Sequence, residues 1–495
     1  MKRMEIMDVT IRDAQQCLWA TRMPTSEMVP IARTMDQAGF TVIDLNGGAA
    51  IDASVMFLAE DPFERIRLLS SLITRTPLNF NTRGQSVFRW MQYADDVAEF
   101  TLEIMRRNGI RSIMVFDALN DIRNLRTTVR AAKRLELYII GAVVYAVSPV
   151  HTDAHFVDKF RQLADLGVSA LEIKDSAGLL TPERARHLIP AVRAVARGLP
   201  LQLHSHCSYG HGLDTYVEAM RLGENGVDLM HCASQPLAYG WSLPPHDVVL
   251  DELQAHGFST PIDRGAIDEM KAYFTMVTRR SGRTPGAILP IQPTDDGHHT
   301  PGGMMSNLVK QLNDQGQGHR LAEVLEEIAR VREELGYPIL VSPMSQYVGT
   351  QAVLNVLTGK RYQVVPQEIK QYVLGYYGEV PGKIDPKARA LIAGDEPSIT
   401  VPPGELIPPM MEKYRRDLAP YDSDEELALK IFYSAQTVAE STKARLAVKP
   451  GTLATDAASF LARELLGKKE IEFCEVSKGS FHFSLNRRTK AQPIA

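Results

Sequence analysis

His204-Ser205-His206 closes a run of β-forming residues, PLQLHSH, at 200–206. Residues two apart on a strand face the same side, so both imidazoles reach one point and can share a cation. The pair alone is weak evidence, because histidines two apart also occur on ordinary surfaces and in cores. Asp13 follows the first β-rich run, and Lys174 stands near the end of the sixth, ALEIKD. A carboxylate with two imidazoles suits a hard or borderline divalent cation. An ordinary lysine beside a dication is repelled, so Lys174 either pairs with an acid such as Asp175 or carries CO2 as an anionic carbamate. Its bland alternative is a salt-bridged barrel lysine.

Positioning these groups requires the elements around them. Short β-rich runs recur at 7–11, 41–46, 77–82, 112–118, 138–146, 170–175, 200–206 and 226–233. Segments with helical periodicity separate them, among them PTSEMVPIARTMDQAG, VDKFRQLADLG and TPERARHLIPAVRAVARG, several ending at a glycine suited to a helix C-cap. Strand then helix, repeated eight times, predicts a (β/α)8 TIM barrel over residues 1–295, with polar residues gathered at the strand ends that form the catalytic face. A doubly wound sheet shares the alternation, but no GxGxxG follows the first strand.

Beyond residue 295 the pattern turns to amphipathic helices, which predicts a helical domain over 296–440 that completes the active site. Proline and glycine at 385–410 predict an extended connection. A small tail over 441–495 contains EIEFCEVSKGSFHFSLNR, which alternates like a β-hairpin.

Composition narrows the partners. The chain has 495 residues, 44% hydrophobic and 23% charged, with a formal charge of −4, so no basic field exists to displace counterions from a nucleic acid. No stretch approaches about 20 apolar residues, which predicts no membrane span. Cys17, Cys207, Cys232 and Cys474 are scattered without CxxC spacing, which fits a reducing, cytoplasmic location.

Eight ordered blocks carry a resemblance: RDAQQCLWATRM (12–23), EDPFERIRLL (60–69), VFDALNDIRNL (115–125), SPVHT (148–152), KDSAGLLTP (174–182), HSHCSYGHG (204–212), PGGMMSNL (301–308) and VSPMSQYVGTQAVLNVLTGKRY (341–362). Over residues 5–440 the chain resembles the carboxyltransferase component of biotin-dependent carboxylases. That group includes pyruvate carboxylase, the oxaloacetate decarboxylase α subunit and the keto-acid subunit of transcarboxylase. The PGGMMSN and GELIPP stretches look closest to the transcarboxylase subunit.

The resemblance implies a divalent zinc, manganese or cobalt ion held by Asp13, carbamylated Lys174, His204 and His206. It places a 2-oxo acid of the pyruvate or oxaloacetate type among Arg12, Gln16 and Arg83, where a guanidinium fork matches a carboxylate. Ser306 matches the family hydroxyl that relays a proton between acceptor and biotin, while its plain reading is a helix N-cap. No AMKM biotin-attachment motif occurs, so biotin is expected on a separate carrier protein. Without an ATP-grasp or P-loop pattern, a biotin carboxylase or another carboxyltransferase subunit is also expected. The family further implies a homodimer within a larger complex.

The pattern departs from the family in places. Cys207 and Tyr209 stand where many members read HTHDTSG, GGAAIDASVMF lacks the aromatic and threonine of WGGATFD, and the segment from Leu237 to Trp241 differs. These changes leave room for a differently shaped 2-oxo acid. His211, His298 and His299 read as supporting or surface residues. Two other functions compete: a metal-dependent lyase or Claisen-type condensing enzyme of the isopropylmalate synthase and hydroxymethylglutaryl lyase kind, and a noncatalytic assembly scaffold. The lyase would need neither the PGG block nor Lys174.

Overall fold

The computed structural model describes residues 2–89, 91–294, 299, 305, 308–309, 312–314, 316–447, 459, 462, 465–468, 470–478 and 481–487. Eight parallel strands, β1 (Glu5–Asp8), β2 (Val42–Gly47), β3 (Leu78–Thr82), β4 (Ser112–Val115), β5 (Tyr138–Val144), β6 (Ala170–Asp175), β7 (Leu201–Ser205) and β8 (Leu229–Cys232), form a closed barrel in sequence order. β8 returns to β1, with Glu5 registered to Leu229 and Asp8 to Cys232. Closure excludes the open doubly wound sheet. β2, β3, β6 and β7 are buried along their whole length because helices cover one face and the barrel interior the other.

The first strand ends earlier than expected. The composition predicts a run over 7–11, whereas β1 stops at Asp8 and Thr10–Ala14 forms a wide π-helical turn. The Asp8 carboxylate accepts from the Thr10 N–H and hydroxyl, at 3.2 and 2.5 Å, which turns the chain out of the sheet. Asp13 and Ala14 N–H groups both donate to the Val9 carbonyl. Asp13 therefore projects from a helical turn and not from a strand end.

A second core lies among the helices Leu321–Glu334, Met344–Thr358, Gln367–Val373 and Pro386–Ala393, and it includes Ala118 and Leu119 from the loop after β4. The helical layer thus seats on the edge of the barrel where the strands end. The expected extended connection at 385–410 starts instead with the helix Pro386–Ala393, because Asp385 caps the N–H groups of Lys387 and Ala388 and proline fits the first turn. The chain then returns to the barrel flank: Met410 and Met411 N–H groups donate to Asp96, and Phe432 packs edge-on against Phe88 and Tyr93. The boundary expected at 440 falls inside the helix Ala435–Ala447, whose Val438 belongs to the barrel-side core.

β9 (Phe473–Lys478) and β10 (Phe481–Asn486) pair antiparallel, as the alternating tail predicts. Among the described residues no helix is long and apolar enough to cross a membrane.

Candidate metal centre and active site

Two strands and one turn carry the predicted ligands, and Asp13, His204 and His206 meet side chain to side chain. β7 places Gln202 and His204 on one face, and His206 follows one residue past its end, its N–H still donating to the Asp175 carbonyl of β6. The turn after β1 swings Asp13 over the same mouth. His204 Nε2 lies 3.0 Å from His206 Nε2, and Asp13 lies 3.2 Å from His206 Nε2 and 3.9 Å from His204 Nε2. All three residues are buried.

The opposite ring nitrogens are occupied. His206 Nδ1 donates to the Trp241 carbonyl at 2.7 Å, and His204 Nδ1 faces His231 Nδ1 at 3.1 Å. Both Nε2 atoms therefore converge with a carboxylate, an arrangement that could hold one cation. Ligand atoms bonded at about 2.0–2.2 Å to one ion stand at such separations from each other. The donor set of one carboxylate and two imidazoles fits a first-row divalent ion better than magnesium.

The local electrostatics centre on the Asp13 carboxylate. Burial pulls the His206 imidazole down, but Cys17 and the Asp13 carboxylate push it up to about 10. Burial, with the Lys174 ammonium adding to it, holds His204 well below the ordinary histidine range. Burial works to raise Asp13, but the Arg12 guanidinium first, then His206 and His204, hold it well below the usual carboxylate range. Positive charge thus gathers around Asp13, from Arg12 on one side and His206 on the other.

Lys174 is registered beside His204 on the neighbouring strand and is buried. Its acid partner is Glu172 and not Asp175, with Nζ 3.3 Å from Glu172 Oε1. Asp175 is committed elsewhere, accepting from the N–H groups of Leu179 and Leu180 and from the Ser205 hydroxyl. Residues two apart on β6 share a face, so Glu172 and Lys174 meet inside the barrel while Asp175 points away from it.

Arg12 is locked into the cluster, donating to Asp44 at 2.6 Å and to Asp13 at 2.8 Å. Gln16 sits half-buried one turn further along. Arg83 follows the last residue of β3: its terminal nitrogen donates to the Arg89 carbonyl, and its buried Nε has no hydrogen-bond partner. Gly48 allows this placement, because a Cβ there would lie 2.8 Å from the Val87 carbonyl and 3.2 Å from the Arg83 guanidinium. Nearby Asp52 accepts from the Tyr433 hydroxyl at 2.7 Å, and burial raises its carboxyl.

Ser306 and His298 lie outside the described residues. His211 is only partly buried and contacts the Gln292 carbonyl, while buried His299 contacts Arg332, so neither joins the ligand cluster. Three groups missing from the sequence reading, Glu172, Cys17 and His231, adjoin the ligand residues, and Gln202 stands behind His231. Glu172 and Gln202 precede Lys174 and His204 by two positions, a spacing that the strand period makes legible. Cys17, four residues after Asp13, puts Sγ 3.5 Å from Asp13 Oδ1. His231 gave no local signal, because only the β7–β8 register brings it against His204.

Comparison with known proteins decides what this barrel belongs to. Residues 3–232 match an HMGL-like model, and residues 297–483 match the conserved carboxylase domain. A pyruvate carboxylase subunit of Methanocaldococcus jannaschii is 42% identical over 419 residues, covering 83% of this chain and 72% of that protein. The chain belongs to the carboxyltransferase family of biotin-dependent carboxylases. It is a carboxyltransferase that passes a carboxyl group between biotin and a keto acid.

The 5S subunit of methylmalonyl-CoA carboxyltransferase from Propionibacterium freudenreichii is 35% identical, covering 84% of this chain and 82% of that one. The carboxyl transferase domain of Rhizobium etli pyruvate carboxylase, solved with 3-bromopyruvate, superposes with a TM-score of 0.82 at 26% identity, covering 91% of this chain and 78% of that one. The lyase alternative accounts for the barrel but not for the carboxylase domain that follows it.

Proposed function

We propose that this carboxyltransferase moves CO2 between carboxybiotin on a carrier protein and a 2-oxo acid of the pyruvate type, at a divalent metal held by Asp13, His204, His206 and carbamylated Lys174. The observation that supports the reading is the convergence of one carboxylate and two Nε2 atoms, 3.0–3.9 Å apart, at the barrel mouth. Zinc, manganese and cobalt suit these donors; when bound, such an ion polarises the keto group and eases loss of a proton from the neighbouring carbon.

The chain's own residues supply the rest. Arg83, whose buried Nε is unpartnered, is assigned to the substrate carboxylate, with Gln16 beside Arg12 completing the cradle. Arg12 already serves Asp13 and Asp44, so its first task is to hold the aspartate in place. The buried walls exclude water, which protects an enolate and a departing CO2. Ser306 is assigned the proton relay between acceptor and biotin by its family position. Lys174 must exchange its Glu172 ion pair for a carbamate before it can serve as an anionic ligand.

A homodimer within a complex that includes the carrier, and a biotin carboxylase or another carboxyltransferase subunit, completes the proposal. The cysteine pattern supports a cytoplasmic location. The test is metal analysis of the protein, followed by a screen of 2-oxo acids for biotin-dependent carboxyl transfer or proton exchange. A transition metal near one per chain and turnover of a pyruvate-like acid are expected; a metal-free protein that turns over fully would overturn the reading.

A further inference from the structure

His204 reaches its metal-facing state through a chain of buried hydrogen bonds. Gln202 and His204 share a face of β7, and β8 sets His231 against both. His231 Nε2 lies 2.9 Å from Gln202 Oε1, and His231 Nδ1 lies 3.1 Å from His204 Nδ1. All three side chains are 1–2% exposed, so water does not supply alternatives.

The proton positions follow in order. An amide oxygen has no hydrogen, so His231 Nε2 must donate to it. In a neutral imidazole the other nitrogen then accepts, so His231 Nδ1 receives the proton of His204 Nδ1. That leaves the His204 Nε2 lone pair directed toward His206 and Asp13. Inverting the Gln202 amide would reverse every donor: His231 Nδ1 would donate, His204 Nδ1 would accept, and an N–H would point where a cation must sit. His206 has a simpler device, since its Nδ1 donates to the Trp241 carbonyl.

We infer that Gln202 and His231 are positioning residues: the Gln202 amide fixes the tautomer of His231, which fixes that of His204 and so keeps the His204 Nε2 lone pair available to a divalent metal. Ligand histidines gain affinity when their second nitrogen donates to a fixed partner, and removing that partner commonly costs 10–100-fold in metal affinity. Here the partner is itself a histidine, ordered by a third side chain on the same strand as the ligand. The inference rests on the metal site proposed above.

The experiment measures cobalt and zinc dissociation constants by chelator competition, with the cobalt absorption spectrum as a reporter of geometry. Wild type is compared with His231→Phe and Gln202→Met. His231→Phe should bind about 10–100-fold more weakly with an altered cobalt spectrum. Gln202→Met, which removes the acceptor oxygen while keeping the side-chain length, should weaken binding in the same direction. Should His231→Phe not fold, Gln202→Met carries the comparison. Wild-type affinity and spectrum in both His231→Phe and Gln202→Met would overturn the inference while leaving the metal site standing. A wild-type protein that binds neither metal would overturn the metal site itself.

Discussion

Lys174 and Glu172 leave β6 on the same face, with the lysine nitrogen 3.3 Å from a glutamate oxygen and both side chains buried. The pair defines a resting state in which the amine has an anionic partner without CO2. Glu172 is shifted up by burial, with Lys174 opposing that shift, so it is a compliant partner that gives up its charge more readily than an exposed glutamate.

Forming the carbamate should therefore be slow and dependent on CO2. Protein kept free of bicarbonate is expected to show a lag in carboxyl transfer that bicarbonate shortens. Glu172→Gln should shorten the lag further, because the amine is no longer held as an ion pair. Lys174→Ala should lower kcat by about 100-fold or more, the order seen when a preorganised charged group is removed from a reacting centre. Stopped assays after bicarbonate addition check all three; an unchanged rate in Lys174→Ala would remove the carbamate from the ligand set.

Metal loading should release protons at pH 8. In the metal-free protein His206 titrates at about 10, raised from 6.5, and so is protonated at that pH, yet a ligand imidazole must be neutral. Affinity is expected to climb about tenfold per pH unit up to that value and then level off. Calorimetry in buffers of different ionisation enthalpy reads the released proton directly.

The same shift sets a sign for stability. A histidine whose folded value lies above its unfolded value stabilises the fold fully below about pH 6.5 and loses that contribution as pH rises toward about 10. The metal-free protein should therefore lose Tm between pH 7 and 10 more steeply than the loaded protein, in which a metal replaces the proton. Parallel melting curves for the two forms would argue against the His206 assignment.

Arg83 and Arg12 should respond differently to truncation. Arg83→Ala is expected to raise KM for the keto acid by about 10–100-fold, equivalent to one charged hydrogen-bonding group, with metal content unchanged. Arg12→Ala also strips Asp13 and Asp44 of their guanidinium, so it should lower metal affinity as well as activity. Steady-state kinetics beside metal analysis separates the two.

The returning C-terminal helices should matter for stability. Phe432 packs edge-on between Phe88 and Tyr93, and its replacement by alanine is expected to cost about 3 kcal/mol through the cavity left behind. Tyr433→Phe removes the hydrogen bond to Asp52 and should cost about 1 kcal/mol. Denaturant unfolding of the two variants gives both numbers.

Much of this protein was legible along the chain because strand and helix periods are local. The eight β-rich runs each became a barrel strand, and His204 and His206 converged because residues two apart on extended chain share a side. Asp13 was legible as a residue type, but the turn that aims it depends on the Asp8 side chain recapturing the Thr10 backbone, which no alternation encodes. Lys174 could have met either neighbouring acid; strand pleat and barrel closure chose Glu172 and turned Asp175 to other donors. His231 is the clearest case of what only the fold decides. Its meeting with His204 depends on how β8 registers against β1 and β7, and register is the outcome of packing summed over the whole closed barrel, not a property of any segment read alone.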